Sequence, residues 1–201
     1  MTADDGARRR SRLALAGLAA LFFVPLAASF YLYYGTSWRP GGSARHGDLI
    51  DPARPLPPAS LERADGTPTG SDFLRGDWHI VYVGAGGCDT GCREALAKSR
   101  QVRLALDKDV NRVSRVFLYD GDPPAQDFLA GEHPDLVAAS VDGPAGAALL
   151  ERFPQEAPPR ASQRLYLVDP LGNLLMSYPP EATPRAILTD LERLLKLSHI
   201  G

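Results

Sequence analysis

The chain has 201 residues, of which 44% are hydrophobic and 23% charged, and its formal net charge at pH 7 is −2. That length suits one domain plus an appendage, and the composition is that of a globular protein. With 22 basic residues against 24 acidic ones, no surplus of positive charge is left to meet phosphates, which argues against a nucleic-acid partner.

Residues 1–12 form a basic tail carrying Arg8, Arg9, Arg10 and Arg12. Residues 13–34, Leu13 to Tyr34, contain no charge. As a helix this run would span about 33 Å at ~1.5 Å per residue, enough for a bilayer core of about 30 Å. The arginines keep the N-terminus cytoplasmic by the positive-inside rule, and Tyr31, Tyr33, Tyr34 and Trp38 mark the far interface. Pro25 is tolerated in a membrane helix and is expected to kink it. A cleavable signal peptide is the competing reading, with small residues in "PLAAS". Its apolar region would normally be about 7–15 residues, shorter than this run, so a retained anchor is favoured. Either way, everything after Trp38 is expected in the periplasm.

Residues 35–58 are rich in Pro, Gly and charge, without a hydrophobic period, and read as a tether. The folded domain is then expected over residues 59–201, long enough for a core without disulfide staples. "ASLERADG" reads as a short strand ending in an Asp-Gly turn, and "WHIVYVG" as a buried strand. Cys92 to Asp107 has a helical pattern, and "RVSRVFLYD" is a second buried strand leading into the turn-rich "GDPPAQD". "DLVAASVD" predicts a short strand and "GPAGAALLERF" a short helix. "RLYLVDPLGNLLMSY" predicts a hairpin around Asp-Pro-Leu-Gly. In the last helix Thr183 is the N-cap, Pro184 takes the first position, and Ile187, Leu188, Leu191, Leu194 and Leu195 form the apolar stripe. A βαβ unit, a hairpin and a closing helix predict an α/β, thioredoxin-like domain behind a single transmembrane helix.

Cys88 and Cys92, the only cysteines, fall where the strand over residues 80–83 gives way to a helix. Gly84, Gly86 and Gly87 are expected to let the chain turn sharply and leave the junction open. A thiol at a helix N-terminus feels the positive end of the macrodipole, which favours thiolate. Spacing of i,i+4 puts both sulfurs on one face, able to form a disulfide if the first turn loosens, or to grip Cu(I). A stapling disulfide is the plainer alternative, but so short a loop yields little stability. Structural zinc is disfavoured because only two thiolates exist.

An N-terminal anchor, "LERADG", a strand, a C-x-x-x-C at the strand–helix junction and the late "YLVDPLGNLLMSY" hairpin resemble Sco/SenC proteins. The resemblance covers residues 59–201. It implies a thioredoxin fold, a membrane tether, and either copper delivery or thiol reduction at the copper centre of cytochrome c oxidase. Oxidase subunits or other assembly factors would be the partners and copper(I) the metal. Two departures stand out. The family's prolines after the cysteines are replaced by Asp89 and Arg93, and its ligand histidine would fall near Ala161, where no histidine lies nearby.

Of the four histidines, His46 is placed in the tether, His199 at a solvated helix end, and His79 at an edge or surface. His133, in "GEHPDL", lies in a loop that can approach the cysteines and is the weak candidate for a further metal ligand. Arg93 and Lys98 are candidates to support a thiolate, and Asp89 to oppose one. Three functions stay open: a thiol–disulfide oxidoreductase in which Cys88 attacks and Cys92 resolves, a Cu(I) metallochaperone, and a non-catalytic assembly scaffold. A peroxiredoxin is disfavoured, since Ala85 stands where its threonine would be.

Overall fold

The computed structural model describes residues 3–35, 45–156 and 158–198, in two units, Met1–Ala44 and Arg45–Gly201. The described part of the first unit is one helix, α1 (Ala3–Gly35), which extends back into the basic tail and continues through Pro25. Its segment Arg12–Leu32 is long and apolar enough to cross a membrane. The large apolar side chains there, Leu15, Phe22, Phe23 and Tyr31 among them, are exposed in the protein alone, as a lipid-facing helix requires. Trp38, the last residue of the expected aromatic belt, lies outside the described residues, as does His199.

The second unit is a six-stranded sheet in the order β1-β6-β5-β2-β3-β4. Its strands are β1 (Asp48–Pro55), β2 (Trp78–Ala85), β3 (Val113–Asp120), β4 (Leu136–Ser140), β5 (Leu165–Val168) and β6 (Asn173–Tyr178). β2, β3 and β4 run parallel, whereas β5, β6 and β1 add on antiparallel. Among the described residues, five helices belong to this unit: α2 (Thr90–Ala105), α3 (Gln126–Glu132), α4 (Pro144–Leu150), α5 (Pro159–Ser162) and α6 (Pro184–Leu197). A 3₁₀ turn over Asp107–Arg112 links α2 to β3. Alternation along β2 sends Trp78, Ile80 and Tyr82 to one face, where Leu96 of α2, Phe128 of α3 and Leu191 of α6 cover them. Val81 and Val83 point the other way, against Leu149 of α4 and the segment carrying Leu56, Leu61 and Leu74. The central strand is therefore apolar on both faces, which is why it reads as an unbroken hydrophobic run.

Four expectations are corrected. The stretch assigned to the tether contains β1, so the folded unit begins ahead of residue 59. Residues 36–44 of that tether lie outside the described residues. β1 carries two prolines and lies at the sheet edge, where a strand can lack ladder donors. Its entry is fixed by Asp190 of α6, a buried carboxylate that accepts from the His46 N–H at 2.7 Å, the Gly47 N–H at 3.0 Å and the Tyr178 hydroxyl at 3.2 Å. His46 is thus fastened to the domain, with Nδ1 also 3.2 Å from Asp190. Burial and the neighbouring carboxylate push the Tyr178 phenol well above its ordinary pKa, which keeps it a donor.

The second correction concerns "ASLERADG", which forms isolated bridges, Glu62 to Pro68 and Arg63 to Ala139, rather than a regular strand. Its Asp-Gly turn is present, with the Gly66 N–H donating to the Arg63 carbonyl at 2.9 Å. Third, the chain following "GDPP" is helical as α3. Fourth, His79 is buried in central β2, not at a surface, and neither ring nitrogen has a hydrogen-bond partner among the described residues. Desolvation pushes it down to about 4, against the opposing pull of Asp77 and the Arg75 backbone.

Candidate dithiol site

Cys88 and Cys92 are joined in a disulfide with Cα atoms 5.1 Å apart, at the C-terminal end of β2 and the start of α2. Thr90 is the first helical residue and Asp89 the N-cap, so Cys88 lies outside the helix and Cys92 in its first turn. The bridge therefore closes without loosening the helix, contrary to the expectation from i,i+4 spacing. Cys88 takes the left-handed region, φ +45°, which aims its side chain back over the turn. Asp89 completes the junction: its carboxylate accepts the Cys92 N–H at 2.9 Å. Its role is capping, a role the sequence signals by placing Asp just before a helical run.

The glycines contribute differently from expectation. None of Gly84, Gly86 and Gly87 has a positive φ. Gly86 is required for close approach, since a Cβ there would lie 1.8 Å from the Asp122 carbonyl oxygen. Gly91, in the first turn of α2, admits the Gln163 side chain, whose amide nitrogen would lie 2.4 Å from an added Cβ.

Both cysteines are deeply buried, at 4% and 2% exposure, so solvent access does not single out Cys88. They line a cleft of about 490 Å³ with Tyr82, Gly84, Ala85, Gly87, Asp89, Arg160, Ala161 and Gln163. The last three come from α5 and the residue that caps it, a segment the sequence reading did not make helical. Arg160 pairs through Nε with Asp120 Oδ2 at 2.9 Å. Tyr82, also buried, is pushed up to about 12 by desolvation and then by the Asp89 charge. Arg160 was not legible as a site residue, because only the fold brings α5 to the cysteines, and Tyr82 reads in the sequence simply as one more buried strand residue.

Arg93 and Lys98 are engaged with groups other than the disulfide. The Arg93 guanidinium lies 4.4 Å over the Phe128 ring, and Lys98 Nζ donates to the Pro180 carbonyl. His133 does not join the cysteines either. It is buried with Nδ1 3.2 Å from Arg115 Nη2, and its ring packs edge-on to Phe128 at 5.0 Å. Burial and the Arg115 charge push it below its ordinary pKa, and its place in this network corrects its reading as a metal ligand. Ala161 does line the cleft, but it offers no donor atom to a metal. Among the described residues, no group of three or more His, Cys, Asp or Glu side chains is placed to hold a metal ion. The residues present thus do not make a three-ligand Cu(I) site.

A family model described as "Transmembrane-like, thioredoxin-like, C-terminal domain" matches residues 78–198. No curated protein matches the sequence. Among solved structures, apo Sco1 from Thermus thermophilus is similar with a TM-score of 0.61 and 20% identity, over 76% of this chain and 99% of that one. Yeast Sco1 with copper bound gives a TM-score of 0.60 and 18% identity, over 72% of this chain and 94% of that one. BsSco, a Sco-family cytochrome c oxidase assembly protein with a disulfide switch, gives a TM-score of 0.55 and 20% identity over 75% and 99%. At these identities the likeness is one of fold, and that fold is the Sco-like form of thioredoxin.

Proposed function

The chain belongs to the transmembrane-like, thioredoxin-like C-terminal domain family, and from that premise we propose that it is a membrane-anchored thiol–disulfide exchange factor. The observation that carries this reading is the placement of a five-residue disulfide ring in a cleft at the end of β2, where it spans no two elements of the core. In the reduced protein, the Cys88 thiolate attacks one sulfur of a partner disulfide. The partner's other sulfur leaves as thiolate, and a Cys88–partner mixed disulfide forms. The Cys92 thiolate then attacks the Cys88 sulfur, releasing the second partner thiolate. The partner gains two electrons and the Cys88–Cys92 bridge is restored. Helix α2 favours thiolate at Cys92 through its positive end.

The anchor is α1, with the arginine-rich end in the cytoplasm and the folded unit in the periplasm. There the partner is a cytochrome c oxidase subunit, or an assembly factor, whose copper-binding cysteines must be reduced before metal enters. The Sco-like fold and the description of BsSco as an oxidase assembly protein support this pathway. Exchange between the reduced full chain in detergent and a two-cysteine peptide disulfide should vanish in Cys88→Ser and in Cys92→Ser. Unchanged rates in either would refute the reading.

The adjacency of two sulfurs favours a second reading, in which Cu(I) is cargo bound by the thiolates with a third ligand from the partner. Anaerobic titration of the reduced chain against a competing Cu(I) chelator decides it: tight uptake of one equivalent supports carriage, and none rejects it. A pure scaffold would leave oxidase levels normal in a double-cysteine variant.

A further inference from the structure

We propose that Tyr82 is a positioning residue for the dithiol, its phenol O–H donating a hydrogen bond to the thiolate that forms when the Cys88–Cys92 bridge opens. The inference rests on the exchange reading and adds a residue to its site. Tyr82 shares a sheet face with both cysteines, and all three side chains line one cleft. Gly84 directs the phenol there. A Cβ at residue 84 would lie 2.9 Å from the Tyr82 ring and 3.2 Å from its hydroxyl, so the ring runs along β2 toward the strand's C-terminal end, where the cysteine turn begins.

Phe117 backs the ring at a centroid distance of 5.7 Å and is itself backed by Tyr119 at 5.9 Å, which fixes the ring's tilt. The hydroxyl has no hydrogen-bond partner among the described residues. A phenol held on the cleft wall, with its hydroxyl open to the cleft rather than sealed in the core, keeps a donor available to an acceptor that forms there.

The electrostatics suit that task. Tyr82 stays protonated well above neutral pH, so it remains a donor wherever a thiolate exists. The charged side chains on the same cleft are Asp89 and Arg160. Asp89 is engaged with the Cys92 amide and opposes thiolate, while Arg160 is paired with Asp120. A neutral donor at Tyr82 offsets the Asp89 charge without adding a cation to the cleft.

The test is titration of the thiols in the reduced full chain in detergent, by the pH dependence of iodoacetamide alkylation with each cysteine assigned by mass spectrometry. Tyr82→Phe removes only the hydroxyl and should raise the lower thiol pKa by about one unit, the worth of a hydrogen bond to a charged group. A midpoint within about 0.3 units of wild type overturns the proposal, since a purely packing role survives the substitution. Should Tyr82→Phe fail to fold, Gly84→Ala takes its place: its Cβ displaces the phenol, and it must give the same rise. The titration needs no partner disulfide. Failure of exchange in the wild-type chain would therefore sink the functional reading while leaving the Tyr82 result to stand or fall alone.

Discussion

Opening the Cys88–Cys92 bridge separates a working dithiol from a staple. The ring spans five residues, Cys88 through Cys92. Loop-closure entropy of about −2.1 − 1.5R ln n cal/mol/K then gives about 2 kcal/mol of stabilisation, against ~4.7 for a loop of about 100 residues. Part of even this is offset, because a non-glycine residue in the left-handed region costs on the order of 1–2 kcal/mol, and Cys88 is held there. The bridge joins a turn to the first turn of the helix that follows it, so its loss frees no element from the core. At about 2–4 °C per kcal/mol for a domain of this size, reduction should lower Tm by no more than ~8 °C. Circular dichroism melts of the full chain in detergent, with and without a phosphine reductant, measure this directly. The Cys88→Ser, Cys92→Ser double variant should melt close to the reduced protein. Collapse of the fold on reduction, or a drop beyond about 15 °C, would show that the bridge is structural and refute the argument.

Three further outcomes are expected. Because His79 is buried neutral and its folded pKa lies near 4, below the ordinary 6.5, the unfolded chain binds the proton first. Stability is full above pH 6.5 and falls by a few kcal/mol as pH drops from 6.5 to 4, with His133 adding in the same direction. Urea midpoints across that range should slope in the wild type and flatten in His79→Leu; an unchanged slope would count against the assignment. Asp190→Ala orphans the His46 and Gly47 amides and the Tyr178 hydroxyl, and should cost about 2–4 kcal/mol in urea unfolding, with early amide exchange at residues 46–47. Amide exchange there as slow as in wild type would contradict the clip. Ala161→His adds an imidazole to the cleft and should tighten Cu(I) binding by about 10–100-fold, the scale on which groups around a metal change its affinity. Affinity unchanged in a chelator competition would mean that this position does not face the sulfurs.

Much of the domain was readable because its elements carry strong local signals. β2 and β3 are rich in β-branched and aromatic residues, and α6 combines a Thr183 cap, Pro184 and a buried stripe of Ile187, Leu191 and Leu195. β1 escaped because its pairing is supplied entirely by β6, and "DLIDPARP" has neither alternation nor propensity to announce it. The dithiol was visible because the chain has only two cysteines, at a strand–helix junction. Its surroundings were not, since Arg160 and Gln163 reach the cleft from far away in sequence and Tyr82 reads as an ordinary core position of β2. His133 misled for the complementary reason: its loop was expected to approach the cysteines, but its ring is claimed by Arg115 and Phe128, a contact set by β3 and α3.

Placing Cys88 just outside α2, with Asp89 holding the Cys92 amide, separates the sulfur chemistry from the backbone. Breaking the S–S bond removes none of the helix's hydrogen bonds and none of the sheet's. Under the proposed exchange, oxidised and reduced forms are expected to share one scaffold, so that turnover would need no refolding step. Such a domain can cycle many times without wear. If the two states do share a surface, a partner could tell them apart only by touching the sulfurs themselves.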